Sequence, residues 1–365
     1  MLYTSLFGEL TKSVQIRIDK ASELKKQLFD QALFENYLDW DAPQIGLTFE
    51  ELIGSYGLSI AAATLDSRGN APIIGTEGLE TIADKVLLHK IGYSLKAQDY
   101  RKVLQLLDSK SIADREKAQT LINLMFKNVK DSVDGVNSKL DIIFLGALSN
   151  KGIFTFDASN NPSGGVRGTV DMKMPEGNTA TVDTSWTEEN IDTVDCWNDI
   201  QEMVDLSSDT IKPAKMLLNR AKLSYMLRNK AMKQVIFGTD KKNTPLLTTQ
   251  FNEFLANNEM PVVEVVRRSC RVMNGKVLTE VTPWNGDNIV FVPEGKLGIV
   301  KNAYADSELR PEAGIAYSNY GRIRISQFGS GEREGGNAAE TTVAQVFALP
   351  VITEINACYS LTTIK

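Results

Sequence analysis

The sequence has little of the chemistry that metal sites and active sites usually need. It contains a single histidine, His89, which excludes zinc sites and other metal centres built on several histidines. It has no CxxC pair, no GxxxxGK[ST] phosphate loop and no GxSxG nucleophile motif. The glycines of Gly329–Gly336 lack the GxGxxG spacing and predict a loop. We therefore expect no cofactor and no metal, and a structural role for His89.

Cysteine, basic charge and long apolar runs are also scarce. The cysteines Cys196, Cys270 and Cys358 are odd in number and far apart, which indicates a reduced, intracellular setting. No apolar run is long enough to cross a membrane, and the first residues lack a secretory-signal pattern. The formal net charge is −6. Because surfaces that grip nucleic acid are normally basic, we do not expect tight binding of nucleic acid.

One long amphipathic segment dominates what is present. Apolar residues recur every three or four positions across Ile122–Ala147, which predicts one continuous helical stripe. Ser111 followed by Asp114 indicates the start of the helix, and Asn150–Gly152 indicates its end. The sequence therefore predicts a spine helix over residues 111–150.

A helix of this length needs a long partner, either a second helix or a sheet. Strand patterns over Tyr320–Phe328 and Thr341–Leu361, the latter split at Pro350, indicate that the end of the chain supplies such a sheet. Gly135 and Gly146 weaken the helix and mark a bend or a close approach of another segment.

The chain before the spine helix has two parts. In Glu9–Asp39, apolar residues alternate with charged ones, which predicts an amphipathic helix. This helix packs either on its own domain or on a neighbouring subunit. Phe49–Tyr93 is broken by glycines, with strand patterns at Leu58–Leu65 and Lys85–Leu95 and a turn at Ser67–Asn70. A long two-stranded arm fits this pattern, and such an arm is marginal unless it leans on another surface.

The chain after the spine helix begins with a hairpin and continues as a compact α/β unit. The hairpin pairs Gly152–Phe156 with Val166–Met172. The unit that follows is predicted to contain a helix beginning at Ser185, helices over Arg220–Phe237 and Thr248–Asn257, and a buried strand over Ile289–Val292. It is also predicted to contain a hairpin that pairs Val262–Met273 with Lys276–Val281 around Asn274–Gly275.

The order of these elements resembles that of the major capsid proteins of tailed bacteriophages with the Hong Kong 97-type fold, most closely the lambda E-type family. The residues that carry the likeness are Asn150–Thr155, Val170–Met172 leading into Asn178, Ser185–Thr187, Asn288–Gly295 and Ala348–Val351. The likeness covers Ser138–Lys365 in residues and the first third in layout. The glycine-rich loop Asn160–Gly168 is longer than is usual in the family.

The resemblance implies an α+β fold with five parts. These are an N-terminal arm (1–48), an extended β-loop (49–95), a peripheral domain with the spine helix and β-hairpin (96–184), a compact α/β axial domain (185–287), and a return to the peripheral domain that closes its β-sheet (288–365). The extended loop would lie over a neighbouring subunit, and its assembly residues would be Arg68, Gly69, Asn70 and Glu77.

The resemblance also implies a structural role without catalysis. The chain would self-assemble into hexamers and pentamers of an icosahedral phage head in the virion, after assembly in the host cytoplasm. It would enclose double-stranded DNA without sequence-specific binding. Its partners would be copies of itself, a scaffolding protein, a portal and a decoration protein, with no membrane.

Other interpretations stay open at this stage. The basic residues Arg267, Arg268 and Arg271 contact either DNA or a neighbour's carboxylates, or they form a solvated strand face. An encapsulin-type compartment shell would have the same fold and a different cargo. Asp192, Asp195 and Asp199 share one helix face and would suit a carboxylate-based hydrolase, although acidic residues are also common near a helix start.

Overall fold

The structure is a computed structural model of the whole chain. It describes residues 11–23, 29, 31–52, 81–95, 101–103, 105, 108, 114–162, 166–207, 212–239, 244–274, 277–330 and 339–365. The α-helices of this part are α1 Thr11–Glu23, α2 Phe34–Tyr37, α3 Asp114–Ser149, α4 Cys196–Asp205, α5 Arg220–Arg228, α6 Lys230–Phe237, α7 Thr248–Asn257 and α8 Asp306–Leu309.

The strands lie in two large sheets and three two-stranded pairs. They are β1 Leu38–Trp40, β2 Thr48–Leu52, β3 Thr81–Lys85, β4 Leu87–Ser94, β5 Ile153–Phe156, β6 Gly168–Asp171, β7 Thr179–Thr181, β8 Lys215–Leu218, β9 Val262–Val265, β10 Cys270–Asn274, β11 Val277–Val281, β12 Asn288–Val292, β13 Gly298–Ala303, β14 Ala316–Tyr320, β15 Ile323–Ser330, β16 Ala339–Val351 and β17 Tyr359–Thr362.

The spine helix α3 confirms the prediction from the apolar stripe. Its 36 residues span about 54 Å at about 1.5 Å per residue. At its end the amide of Gly152 donates to the carbonyl of Ala147 at 2.8 Å, which is the long hydrogen bond of a Schellman cap. The left-handed residue of this cap is Lys151, with φ 59°. The predicted start at Ser111 lies outside the described residues.

The main sheet packs under the spine helix, as predicted. Its order is β1-β13-β16-β15-β14, and β4 pairs with the other edge of β16. Pairing places Ile91, Ala344 and Ile325 on one face, and Ile91 lies against Gly135 of α3. The long strand β16 runs through Pro350 without the predicted split. The end of the chain therefore supplies the extended partner that the helix needs.

Both glycines of the spine helix mark close approaches. A Cβ at Gly135 would lie 3.0 Å from Cδ1 of Ile91, and one at Gly146 would lie 2.7 Å from Cδ2 of Phe154. Phe154 lies in the first strand of the hairpin β5–β6, which pairs as predicted. Gly146 thus allows the hairpin that follows the helix to fold back against its last turns.

The second sheet, of order β7-β17-β12-β8-β9, has a core of its own. The strand β12 joins the two cores, because its five residues are all buried and alternate between them. Ile289 and Phe291 face the second core, whereas Val290 and Val292 face the core beneath the spine helix. A strand that is buried on both faces has a continuous run of apolar residues, and the sequence of β12 predicted such a strand.

Some predicted boundaries before the spine helix differ from the structure. The predicted strand Lys85–Leu95 divides at Val86, where β3 ends its pairing with β2 and β4 joins the main sheet. The extended loop predicted over residues 49–95 therefore gives its last strand to the main sheet. The predicted helix Glu9–Asp39 is not continuous either, because β1 begins at Leu38 and pairs with β13. Leu58–Leu65 lies outside the described residues.

Two predicted helices of the second unit also differ. The helix expected from Ser185 begins at Cys196, where Asp195 accepts a hydrogen bond from the amide of Asn198. The helix expected over Arg220–Phe237 breaks at Asn229 into α5 and α6. The Asn229 side chain accepts from the amide of Met232 and caps α6. The prediction of a helix over Thr248–Asn257 is confirmed.

The predicted hairpin strand Val262–Met273 is two strands in the structure. Its first part, β9, pairs with β8 in the second sheet, and only β10, from Cys270, pairs with β11 in the hairpin. Pairing with a distant strand therefore divides the predicted strand.

Candidate assembly surfaces

The predicted assembly residues of the extended loop, Arg68, Gly69, Asn70 and Glu77, lie outside the described residues. The base of the segment that carries them is described. β2 and β3 pair antiparallel from Thr48 opposite Lys85 to Leu52 opposite Thr81. Phe49 is buried in the core beneath the spine helix, and the amide of Val86 donates to the carbonyl of Leu47 at 2.8 Å. The last described residues on either side of this segment, Leu52 and Thr81, therefore lie side by side at one anchored point.

The three arginines of the predicted basic cluster do not share one surface. Arg267 and Arg271 are exposed. Arg268 points inward, where its Nε lies 2.7 Å from Oδ2 of Asp141 on the spine helix and its Nη2 donates to Ser138 at 3.2 Å. Contact with DNA or a neighbour stays a prediction for the exposed pair, whereas Arg268 acts within its own subunit.

Asp141 joins three parts of the chain: the spine helix, the start of α2 and the segment before β10. Its side chain is fully buried, and its Oδ1 accepts from the amide of Phe34 at the start of α2. Its contact with Arg268 is an ion pair by distance, although the two groups are not aligned for a hydrogen bond. Burial raises the pKa of the Asp141 carboxyl to about 6, while the Phe34 amide and the Arg268 guanidinium oppose this rise.

The sequence analysis did not single out Asp141, although one signal was available. Asp141 stands between Leu140 and Ile142 inside the apolar stretch of the spine helix. A charged residue in such a position needs a partner, because an isolated buried charge is very costly. That partner, Arg268, lies far away in sequence and cannot be identified from spacing.

The acidic residues of the hydrolase hypothesis are each engaged separately. Asp192 pairs with Lys230 at 2.6 Å. Asp195 caps α4, and Asp199 accepts from the indole nitrogen of Trp186 at 2.7 Å. Burial raises the pKa of Asp199, and the hydrogen bond from Trp186 opposes this. The structure therefore gives these carboxylates individual structural roles.

The other reactive side chains are buried. His89 Nε2 lies 3.0 Å from the carbonyl of Ala348 on the next strand, and burial lowers the pKa of His89 to about 4. The three cysteines are buried and unpaired, and burial raises the pKa of each thiol. Within the described ranges there is no cluster of three or more His, Cys, Asp or Glu side chains suited to a metal ion. None of the described helices is long and apolar enough to cross a membrane.

The face of the main sheet away from the spine helix carries an open groove of about 920 Å³. Its floor includes Lys90, Gln345 and Val343, and Arg310 and Glu312 line its side. Side chains of both charges are mixed with apolar ones, and no nucleophile is paired with a base. The groove has the character of a protein-contact surface more than of an enclosed substrate pocket.

Comparison with solved structures agrees with this architecture. A protein assigned as the capsid protein of an Escherichia coli CFT073 prophage superposes with a TM-score of 0.58 at 12% identity, covering 96% of this chain and 98% of that one. The capsid of Myoviridae phage XM1 gives a TM-score of 0.45 at 10% identity, with 91% and 92% covered. The SrpI encapsulin of Synechococcus elongatus PCC 7942 gives 0.34 at 10%, with 90% and 85% covered.

Only the first of these three similarities is strong enough to support an argument, and at 12% identity it shows the fold alone. The fold is the mixed helix and sheet arrangement of Hong Kong 97-type capsid proteins, as the sequence predicted. No curated protein sequence matches this chain.

The sequence itself matches the profile of a known family. The profile of the family described as phage major capsid protein E matches residues 54–363, which is most of the 365-residue chain. This match favours the phage class over the encapsulin alternative. The chain therefore belongs to the phage major capsid protein E family, whose members are structural proteins that build the multimeric shell of the virion.

Proposed function

We propose that copies of this chain form the hexamers and pentamers of an icosahedral phage head that encloses double-stranded DNA. The observation that carries the proposal is the anchored base of the extended loop. Leu52 and Thr81 are direct partners at the end of β2 and β3, and Phe49 fixes the pair in the core. An anchored base of this kind supports a role of the extended loop in contacts between copies.

The charge of the chain suits a container for DNA. A net charge of −6 disfavours tight adhesion to the phosphate backbone, so that the enclosed genome can be packed and released. Shell stability then arises from many modest contacts, because linked contacts raise the overall avidity without any single strong one. The exposed Arg267 and Arg271 would contact a neighbour's carboxylates or the enclosed DNA, or would form a solvated strand face.

Further partners belong to the same proposal. A scaffolding protein, a portal and a decoration protein would act with this chain during assembly in the host cytoplasm, as the family resemblance implies. Expression of the chain alone and with its neighbouring genes tests this. Shells of uniform size only in the presence of the neighbouring genes would support the need for scaffolding, and uniform shells from the chain alone would contradict it.

The role of the extended loop can be tested by shortening it. Because Leu52 and Thr81 are paired partners, an Asn-Gly turn can replace residues 53–80 and close the hairpin without disturbing the strands. We expect the shortened chain to fold and to form no shells in sedimentation and electron microscopy. A control in which a Gly-Ser linker of equal length replaces the same residues separates length from sequence. Shells formed by the shortened chain would overturn the role of the extended loop in assembly.

Individual residues of the loop allow a finer test. Charge reversal of Arg68 or Glu77 should weaken assembly without changing the unfolding of the free subunit, if these side chains meet a neighbouring copy. If each single reversal assembles like the unchanged chain, neither charge contributes.

A further inference from the structure

The hairpin β10–β11 is firmly held at its base. Arg268, just before β10, pairs with Asp141, and the thiol of Cys270 lies 3.7 Å from the carbonyl of Ser138 on the spine helix. Val272 packs against the core beneath the spine helix. These contacts fix one face of the hairpin to the rigid body of the subunit.

The other face is exposed, and its cross-strand pair nearest the turn is apolar. Register places Met273 directly opposite Leu278, and Arg271 opposite Glu280. Since alternate residues of a strand share a face, these four side chains lie together, away from Cys270 and Val272. Met273 is 61% exposed and Leu278 is 62% exposed. We call these four residues the hairpin face.

The strand β11 is unusual because neither of its faces is covered near the turn. Val277, on the face opposite Leu278, is 66% exposed. Within the described part of the chain, β10 and β11 pair only with each other. A two-stranded hairpin is marginal on its own, and large apolar side chains gathered on an exposed surface usually mark a contact with a partner.

The chemistry of the hairpin face is that of a small protein–protein contact. An apolar pair, Met273 and Leu278, lies next to the turn, and a pair of opposite charge, Arg271 and Glu280, lies beside it toward the base. Protein–protein contacts combine apolar and charged side chains in this way. One cation beside an anion does not suit the phosphate backbone of DNA, which needs clustered cations.

We infer that the hairpin face docks on a second copy of this chain within the shell. This inference rests on the proposed function, because the shell brings each subunit against others of the same kind. The partner copy would bury Met273 and Leu278 and would offer charges complementary to Arg271 and Glu280. The contact would add to that of the extended loop, at a different part of the subunit.

A thiol in the apolar pair of the hairpin face tests directly whether that pair is buried in the shell. The three native cysteines are buried, so Met273→Cys introduces a single exposed thiol. In isolated subunits this thiol should react quickly with a maleimide dye. In shells we expect labelling to slow by at least about tenfold, because the centre of a contact excludes water. Equally fast labelling in shells and subunits would overturn the inference.

The identity of the partner is read from a cross-link. Benzophenone-maleimide attached to Met273→Cys should, on illumination of shells, join two copies of the chain, and mass spectrometry locates the partner residue. Cross-links only to DNA or to another protein, or none at all, would overturn the inference. If the unchanged chain forms no shells under any condition, the proposed function itself fails, which is a different result.

A pair of variants separates this contact from general surface effects. Met273→Ser with Leu278→Ser should leave the unfolding of the free subunit unchanged, since both side chains are exposed, and should reduce shell yield several-fold. Leu206→Ser is the control, because Leu206 is 52% exposed at the end of α4, in another part of the subunit. Normal yield from the double variant, or equal losses from both variants, would contradict the inference.

Discussion

The two glycines of the spine helix allow a matched test of how the subunit is packed. In a helix interior, Gly→Ala gains up to about 1 kcal/mol if the new methyl group meets no obstacle. At Gly146 the methyl carbon would lie 2.7 and 2.8 Å from ring atoms of Phe154. That ring is buried and packs edge-on against Phe156, with centroids 4.9 Å apart, so it cannot turn aside freely. Overpacking of this kind costs about 1–3 kcal/mol.

At Gly135 the obstacle is softer. The nearest atom is the terminal Cδ1 of Ile91, at 3.0 Å, on a side chain that is only partly buried. A small shift of this methyl group accommodates the substitution. We therefore expect Gly135→Ala to be about neutral or stabilising by up to about 1 kcal/mol, and Gly146→Ala to be destabilising by about 0–2 kcal/mol.

The assay is urea unfolding of the unassembled protein, followed by tryptophan fluorescence. The two variants should differ in stability by about 1–2 kcal/mol, with Gly135→Ala the more stable. Phe154→Leu should be less damaging in the Gly146→Ala background than in the unchanged chain, because it removes the obstacle. The reasoning is refuted if Gly146→Ala is at least as stable as Gly135→Ala.

Further predictions concern three other contacts. Arg268→Met leaves the buried Asp141 carboxylate without its cation and should cost about 3–5 kcal/mol at pH 7.5. Folding raises the pKa of the Asp141 carboxyl to about 6, so the protonated carboxyl stabilises the folded state at low pH. This contribution is lost as the pH rises through 6. The cost of Arg268→Met should therefore shrink at pH 5, and an equal cost at both pH values in urea titrations would contradict this. Lys151→Gly should stabilise by about 1 kcal/mol, seen as a higher melting temperature, because Lys151 adopts a left-handed conformation that glycine adopts freely. Asp199→Ala leaves the indole N–H of Trp186 without its acceptor and should destabilise by about 1–3 kcal/mol in urea unfolding, whereas an unchanged midpoint would show that water replaces it.

Local sequence signals predicted the elements whose pattern is complete within a short stretch. The apolar stripe gave the spine helix, Asn274–Gly275 gave the hairpin β10–β11, and the apolar run Ile289–Val292 gave the strand shared by both cores. In each case the periodicity, the cap or the turn lies within the element itself, so no knowledge of distant contacts is needed.

Distant contacts decide the features that the sequence did not predict. The apolar pattern continues through Asn229, but its amide group donates to the carbonyls of Ile191 and Val194, and this draws the chain out of the helix. Pro350 remains inside β16 because β4 stops pairing at Ala348. Beyond that point β16 has a neighbour on one side only, where the missing amide hydrogen of proline costs little.

The assembly surfaces are the least predictable part for the same reason. The ion pair between Arg268 and Asp141 links residues far apart in sequence, so spacing alone grouped Arg268 with the exposed Arg267 and Arg271. From the sequence alone, the apolar pair Met273 and Leu278 of the hairpin face looks like part of an ordinary half-buried pair of strands. Only the fold shows that no part of the described chain covers it.

The most direct test of the central claim is electron microscopy of the purified protein, expressed alone and with its neighbouring genes. The account predicts closed shells or tubes built of hexameric capsomers. Only monodisperse single subunits under both conditions would contradict the claim that this chain builds a shell.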